Sequence, residues 1–289
     1  SSAASSREAG RRLARELADP SPRLFFVVAD GIDINGTDLV AGLNEALDPA
    51  CVVTGGLAAD GDRFERTWVW EGGEVHSGHT AAVAFYGERL RVGHGSKGGW
   101  DIFGPERLVT RSSGRVLYEL DGRPALELYK TYLGELASGL PATGLLFPLA
   151  LRSGDADVGS PDGQVVRTIL GIDEAEQSMT FAGEVPEGVL AQLMKANFDR
   201  IIAGAQQAAL LTRQVCPDQQ EGLAIAVSCV GRRWLLGERT EEELERTLDV
   251  LPRGFQQVGY YSYGEISPLT VGACDLHNQT MTLTTIAEH

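Results

Sequence analysis

The sequence predicts an α/β (α+β) protein of two related lobes, each a sheet rich in antiparallel strands with helices packed on its faces. Three observations carry this. The chain has 289 residues, more than one compact core usually accommodates. Both halves run through one order, helix, strand, helix, strand, glycine break, antiparallel strands, which points to an internal duplication. The strand-like runs after each break are short and separated by glycine turns, as in antiparallel connections.

In the first half, Ala9, Leu13 and Leu17 recur at helical spacing among Arg and Glu, and Asp19-Pro20-Ser21-Pro22 stops the helix. The apolar run Leu24–Ala29 reads as a buried strand. Asn35-Gly36-Thr37 supplies N-cap chemistry for a second helix that ends at Asp48-Pro49. Cys51–Thr54 is the next strand, broken by Gly55-Gly56, and Arg66–Trp70, Thr80–Tyr86 and Leu90–His94 read as an antiparallel meander.

The second half repeats the order. Val189 to Leu211 is a long helical pattern and Leu223–Ser228 an apolar strand. Thr240 with Glu243 three residues on forms a capping box that opens a helix to Leu251. Val258–Tyr263 is a strand broken by Gly264, and Thr270–Cys274 and Met281–Ile286 are further strands. Between the halves, Val165–Ile172 and Met179–Phe181 are strand-like, and Ser153–Gly163 reads as an exposed, disordered loop. The turn Leu120-Asp121-Gly122-Arg123-Pro124 leads into a helix, so the lobes divide as 1–123 and 124–289.

Composition narrows the function classes. Lys and Arg number 25 against 40 Asp and Glu, a net charge of -15, and such a surface repels phosphate backbones and anionic lipid. Neither nucleic acid nor a membrane is expected as a partner. Apolar runs are too short to span a bilayer and the first residues lack a secretory signal pattern, so a cytoplasmic location is expected. The cysteines Cys51, Cys216, Cys229 and Cys274 form no C-x-x-C pair, which excludes a zinc ribbon and leaves reduced thiols as the default.

The densest chemistry lies in the second half. Ser228-Cys229-Val230-Gly231-Arg232-Arg233 ends an apolar strand with a thiol, a glycine and two guanidinium groups, and strand ends are where open α/β sheets bind ligands. Arg232 or Arg233 suits a bidentate carboxylate; the blander role is a structural ion pair. Tyr260-Tyr261-Ser262-Tyr263-Gly264-Glu265 offers tyrosines for a pocket wall and a carboxylate for an ammonium group. Against this stands the ordinary preference of Tyr for strands. His277-Asn278-Gln279-Thr280 adds donors and acceptors before the last strand.

The candidate binding residues are therefore Cys229, Gly231, Arg232, Tyr261, Tyr263, Gly264, Glu265, His277 and Asn278. The expected ligand is an amino acid or similar small polar molecule, with Arg232 on its carboxylate and Glu265 on its ammonium, while Tyr261, Tyr263 and Asn278 shape the pocket. A thiol hydrolase built from Cys229, His277 and Glu265 is less favoured, because a free cysteine ending an apolar strand is more often a small buried hydrophobe. No catalytic residue is expected. Gly93-His94-Gly95-Ser96-Lys97-Gly98 matches a dinucleotide fingerprint but lacks the following helix. His76 and His79 lie in a hairpin turn without a third ligand, and no metal site is expected.

The order and spacing of Ser228–Gly237, Tyr261–Ile266 and Leu276–Leu283 resemble the C-terminal domain of the FIST family. Val53-Thr54-Gly55-Gly56, Thr80–Val83, Gly98-Gly99-Trp100 and Leu120–Ala125 are similar to its N-terminal domain. The resemblance spans nearly the whole chain. It implies an intracellular sensory module of bacterial-type signalling that binds a small ligand and reports it to a separate output protein, such as a kinase or a cyclic-dinucleotide enzyme. Some FIST-like proteins are similar to haem-dependent nitric-oxide sensors, which makes haem the alternative ligand, with His94 and His277 as candidates.

Overall fold

The computed structural model describes residues 3–152, 164–215, 220–268 and 273–288. The expected loop Ser153–Gly163, Cys216 and most of the expected strand Thr270–Cys274 lie outside the described residues. The chain forms two compact units, one of residues 1–99 with 201–289 and one of residues 100–200. This division differs from the chain-order boundary at 123/124.

Along the first stretch run α1 (Ala3–Leu17), β1 (Leu24–Ala29), α2 (Gly36–Ala46), β2 (Val52–Ala58), β3 (Val69–Glu71), β4 (Glu74–His76), β5 (Thr80–Phe85) and β6 (Leu90–Lys97). Asn35 caps α2 as its sequence suggests, its Oδ1 accepting from the Asp38 amide at 3.2 Å. The second unit holds β7 (Asp101–Ser113), β8 (Val116–Leu120), β9 (Arg123–Pro124), α3 (Ala125–Leu133), β10 (Leu149–Arg152), β11 (Gln164–Arg167), β12 (Ile169–Asp173), β13 (Ser178–Phe181) and β14 (Leu190–Lys195). The chain then returns through α4 (Phe198–Val215), β15 (Glu221–Cys229), α5 (Val230–Leu236), α6 (Thr240–Leu248), β16 (Gly254–Pro268), β17 (Cys274–His277) and β18 (Met281–Glu288).

The second unit is an antiparallel sheet of order β11-β10-β14-β7-β8-β13-β12. Leu126, Tyr129 and Leu133 of α3 bury against Leu117, Leu149, Met179 and Phe181 of that sheet. The helical pattern expected over Val189 to Leu211 is corrected here. Its first part is β14, a strand whose Ala191 and Leu193 point into the core between β10 and β7; flanking ladders override a helix-prone local sequence.

The first unit's sheet has the order β5-β1-β2-β16-β15-β18-β6. β1 and β2 are parallel with β5 antiparallel beside β1, and β15 and β16 are parallel with β18 antiparallel beside β15. The two triplets meet through an antiparallel β2–β16 pairing. Helix, strand, helix, strand thus recurs in both halves, and the halves share one sheet. The expected meander does not form, because β5 pairs with β1 while β6 pairs with β18 at the opposite edge.

Two further expectations change. Gly264 does not end its strand; β16 runs on to Pro268 with a register shift between Ser262 and Gly264. The capping box at α6 is not made, since the Thr240 hydroxyl donates back to Gly237 O and Glu243 turns inward.

Side chains of α1 and α2 cover the first triplet through Ala14, Leu39 and Leu43 against Phe25, Val27 and Val53. Ala205, Ala208 and Ala209 of α4 cover Ala224, Ala226, Met281 and Leu283. On the helix-free face Thr284 Oγ1 meets Thr54 Oγ1 at 2.9 Å, although β16 and β15 separate their strands, so the sheet is strongly curled. The crossing of α1 on α2 depends on glycine at the contact: a Cβ on Gly42 would sit 2.0 Å from Arg7 O. Gly42→Ala is expected to lower the urea midpoint by about 1–3 kcal/mol of stability with an unchanged slope.

Candidate functional site

The topology creates one special position. Ser262, midway along β16, pairs on one side with Cys229, the last residue of β15, and on the other with Ala58, the last residue of β2. The carboxyl ends of both parallel pairs therefore converge on the same few residues of β16. Strand order reverses there, the kind of crevice in which open α/β sheets hold ligands.

Beneath the convergence lies a closed polar network. Arg232 is fully buried, and its guanidinium donates to Glu243 Oε2 (3.1 and 3.0 Å), Ile201 O (2.8 Å), Gly98 O (2.5 Å) and Gln279 O (3.4 Å). Glu243, also fully buried, accepts from Ser228 Oγ at 2.9 Å. Ser262 Oγ bonds Glu265 Oε1 and lies 3.3 Å from Ser228 O. Glu265 Oε2 accepts from the amide (3.1 Å) and hydroxyl (2.9 Å) of Thr280, the residue after Gln279.

Burial pushes the Glu265 carboxyl up to about 8, against the opposing pull of its bonds from Ser262 and Thr280. The positions of the oxygens suit a protonated acid. A carboxyl that donates to Ser262 Oγ frees that hydroxyl to donate to Ser228 O, whereas a carboxylate would compete for the one proton Ser262 has.

This network corrects the sequence reading of two residues. Arg232, expected on a ligand carboxylate, spends its donors on Glu243 and backbone carbonyls. Glu265, expected on an ammonium group, is sealed from solvent and bonded within the fold. The other candidates gather around the same loop. A Cβ on Gly231 would meet the Gln279 side chain at 2.8 Å, and one on Gly264 would meet Leu276 at 2.9 Å. Asn278 Nδ2 donates to Tyr263 O at 3.2 Å. His277, 5% exposed, places Nε2 3.1 Å from Ser267 O. Burial, and then the Glu265 carboxyl, push the Cys229 thiol far up, so at neutral pH it is protonated and a poor nucleophile.

Above the network the wall is open and aromatic. Phe64 stacks on Tyr263 with centroids 4.7 Å apart and planes 10° from parallel, and it meets Trp234 in a T-shaped contact with centroids 6.1 Å apart and planes at 82°. Phe64 is 47% exposed and Trp234 37%. The Arg233 guanidinium lies 5.3 Å over the Tyr261 ring and has no acidic partner among the described residues.

The loop that delivers Phe64 is wound around Asp60. Burial would raise that carboxyl, yet the Tyr263 hydroxyl and the amides of Arg66 and Glu65, each at 3.0 Å, hold it down at about 2. The Phe64 amide adds a bond to Asp60 at 3.2 Å, and Phe64 takes a positive φ of 50°, a conformation bulky residues rarely adopt.

Sequence reasoning singled out Tyr261 and Tyr263, which line this wall, and it named Arg233 only as an alternative to Arg232. Asp60 and Phe64 were missed because they carry no motif, and Trp234, within the FIST-like stretch Ser228–Gly237, was not singled out; they meet only when β2 pairs with β16.

Two outcomes test these assignments. Arg232→Met should destabilise the protein by about 3–5 kcal/mol in urea, the cost of stranding a buried carboxylate. Since the Glu265 carboxyl is raised in the fold, the protein loses stability as pH climbs from about 5 to about 8. Glu265→Gln should remove that loss, gaining on the parent at up to ~1.4 kcal/mol per pH unit across the window. Melts of both proteins between pH 5 and 8 check it.

Comparison with known proteins is consistent with this architecture. No curated protein matches the chain. Among the described residues no helix is long and apolar enough to cross a membrane. A family model described as the FIST N domain matches residues 1–123, and one described as the FIST C domain matches residues 125–268. The two models meet at β9, whereas the compact units divide at 99/100 and 200/201. With both domain models matched in order along most of its length, the chain belongs to the FIST family, whose domains are associated with sensor function in signal transduction.

Proposed function

We propose that this protein is a small-ligand sensor without chemistry of its own, that its ligand is an amino acid or a similar small carboxylate, and that the ligand sits in the crevice above Ser262. The observation that carries the reading is Arg233. It is an exposed guanidinium whose carbon lies 5.3 Å from the Tyr261 ring centroid at the strand-end convergence, and no described carboxylate pairs with it. The cation–π contact holds the side chain beside the crevice, and its forked N–H groups suit a bidentate carboxylate. Arg233 takes the role that the sequence reading gave to Arg232. Tyr261, Tyr263, Phe64 and Trp234 supply the apolar wall that such sites require.

A catalytic alternative finds no support at Cys229, whose thiol is buried and held protonated. Iodoacetamide should label it far more slowly than an ordinary exposed thiol at neutral pH. The haem alternative rests on His94, whose imidazole burial keeps neutral and therefore able to ligate iron. His277 is the poorer candidate, since its Nε2 faces Ser267 O.

In signalling, the bound state would be read by an output protein such as a kinase or a cyclic-dinucleotide enzyme. Thermal shift against the amino acids and small carboxylates tests the ligand. At 100 times its Kd a ligand adds about 2.7 kcal/mol, and Arg233→Met should abolish that gain while leaving the unliganded melting temperature unchanged. Haem addition, followed by absorption in the parent and in His94→Ala, tests the alternative.

A further inference from the structure

We infer that the position held by the Phe64 ring is a slot for a planar ring, so that the ligand of the crevice is an aromatic carboxylate and Phe64 is its intramolecular competitor. This rests on the reading of the Arg233 crevice as a small-ligand site and gives that ligand its chemical class.

The slot is defined by two rings. Tyr263 forms its floor, near-parallel to Phe64, and Trp234 stands nearly perpendicular to Phe64. A stacked contact with one ring and a T-shaped contact with another are the two arrangements that aromatic quadrupoles favour. They select a flat ring over a puckered aliphatic one of equal size. The floor is tethered, because the Tyr263 hydroxyl is bound between the Asp60 carboxylate and Gly61 O, the latter at 2.8 Å.

Phe64 itself is held differently. Its ring is 47% exposed and its backbone sits at a positive φ of 50°. That conformation is maintained by the amide bonds that Phe64, Glu65 and Arg66 give to Asp60. A core phenylalanine would be buried on an ordinary backbone; this one is a benzyl group presented from a loop into a site that stays half open.

The charge is set by Arg233, consecutive with Trp234 on α5. It is a guanidinium without a described acidic partner in a chain whose net charge is -15. A ligand that unites a benzyl-like ring with a carboxylate matches both features at once. Displacing Phe64 costs the protein its own stack, so the ligand must replace that stack and add the Arg233 bond.

Isothermal titration with phenylacetate and with cyclohexylacetate, which share charge and size and differ in planarity, tests the inference on the full chain. Phenylacetate should bind roughly tenfold more tightly, and Phe64→Ala should tighten it several-fold further by removing the competitor. Arg233→Met should weaken it at least tenfold. Circular dichroism and melting confirm that each variant folds. Equal affinity for the two acids, or weaker phenylacetate binding in Phe64→Ala, overturns the inference while leaving a small-carboxylate site in place. If neither acid nor any amino acid binds the parent or Phe64→Ala, the site reading falls as well.

Discussion

The buried Arg232–Glu243 pair is the constraint around which the first unit is organised. A guanidinium and a carboxylate with no exposure are costly to take out of water, and they persist in a fold when their remaining donors and acceptors are also met. Here Arg232 meets them by reaching the first turn of α4 at Ile201, the segment after β6 at Gly98, and the loop before β18 at Gln279. One side chain therefore fixes the approach of segments more than a hundred residues apart in sequence. Glu243 carries the same constraint into α6, and Ser228 ties it to the end of β15.

That constraint also decides what the crevice can do. Arg232, Glu243, Ser262, Glu265 and Thr280 spend their side-chain polar atoms on bonds within the fold beneath the strand ends. They offer little to a ligand. In the proposed reading, recognition falls to the layer above, where the groups are more exposed: Arg233, Tyr261, Trp234 and Phe64. Two adjacent arginines thus have opposite roles, set by the helical rotation between them, which turns Arg232 into the core and Arg233 outward.

The duplicated order of helices and strands was legible in sequence because helical spacing, apolar runs and the Asn35 cap are local signals, and the structure repeats that order in both halves. Clustering of the second-half candidates was legible too, since Cys229, Glu265 and His277 lie at or near strand ends or breaks. What the sequence hid is non-local. Leu190–Lys195 has helix-prone residues, and only its neighbours β10 and β7 make it a strand. Glu243 occupies the spacing of a capping box, and the stronger demand of Arg232 draws it inside. Phe64 and Asp60 lie in a polar loop without a motif, and their importance arises from pairing across β2 and β16.

The same pairing gives the proposed sensor site its place at this seam. Each triplet alone has one parallel pair, and the carboxyl ends of that pair face open solvent. Joined antiparallel, the two pairs aim their ends at each other across Ser262, so the crevice takes the Asp60 loop from one half and α5 from the other. A ligand there touches both halves together. Binding can report on the protein's state only through a difference in affinity between two conformations. On the inference that Phe64 competes with the ligand, the loop supplies such a pair: with the ring in the slot, the crevice is filled from within; with a ligand in the slot, the loop would carry its ring elsewhere, a change beside the seam that a partner touching the loop would sense.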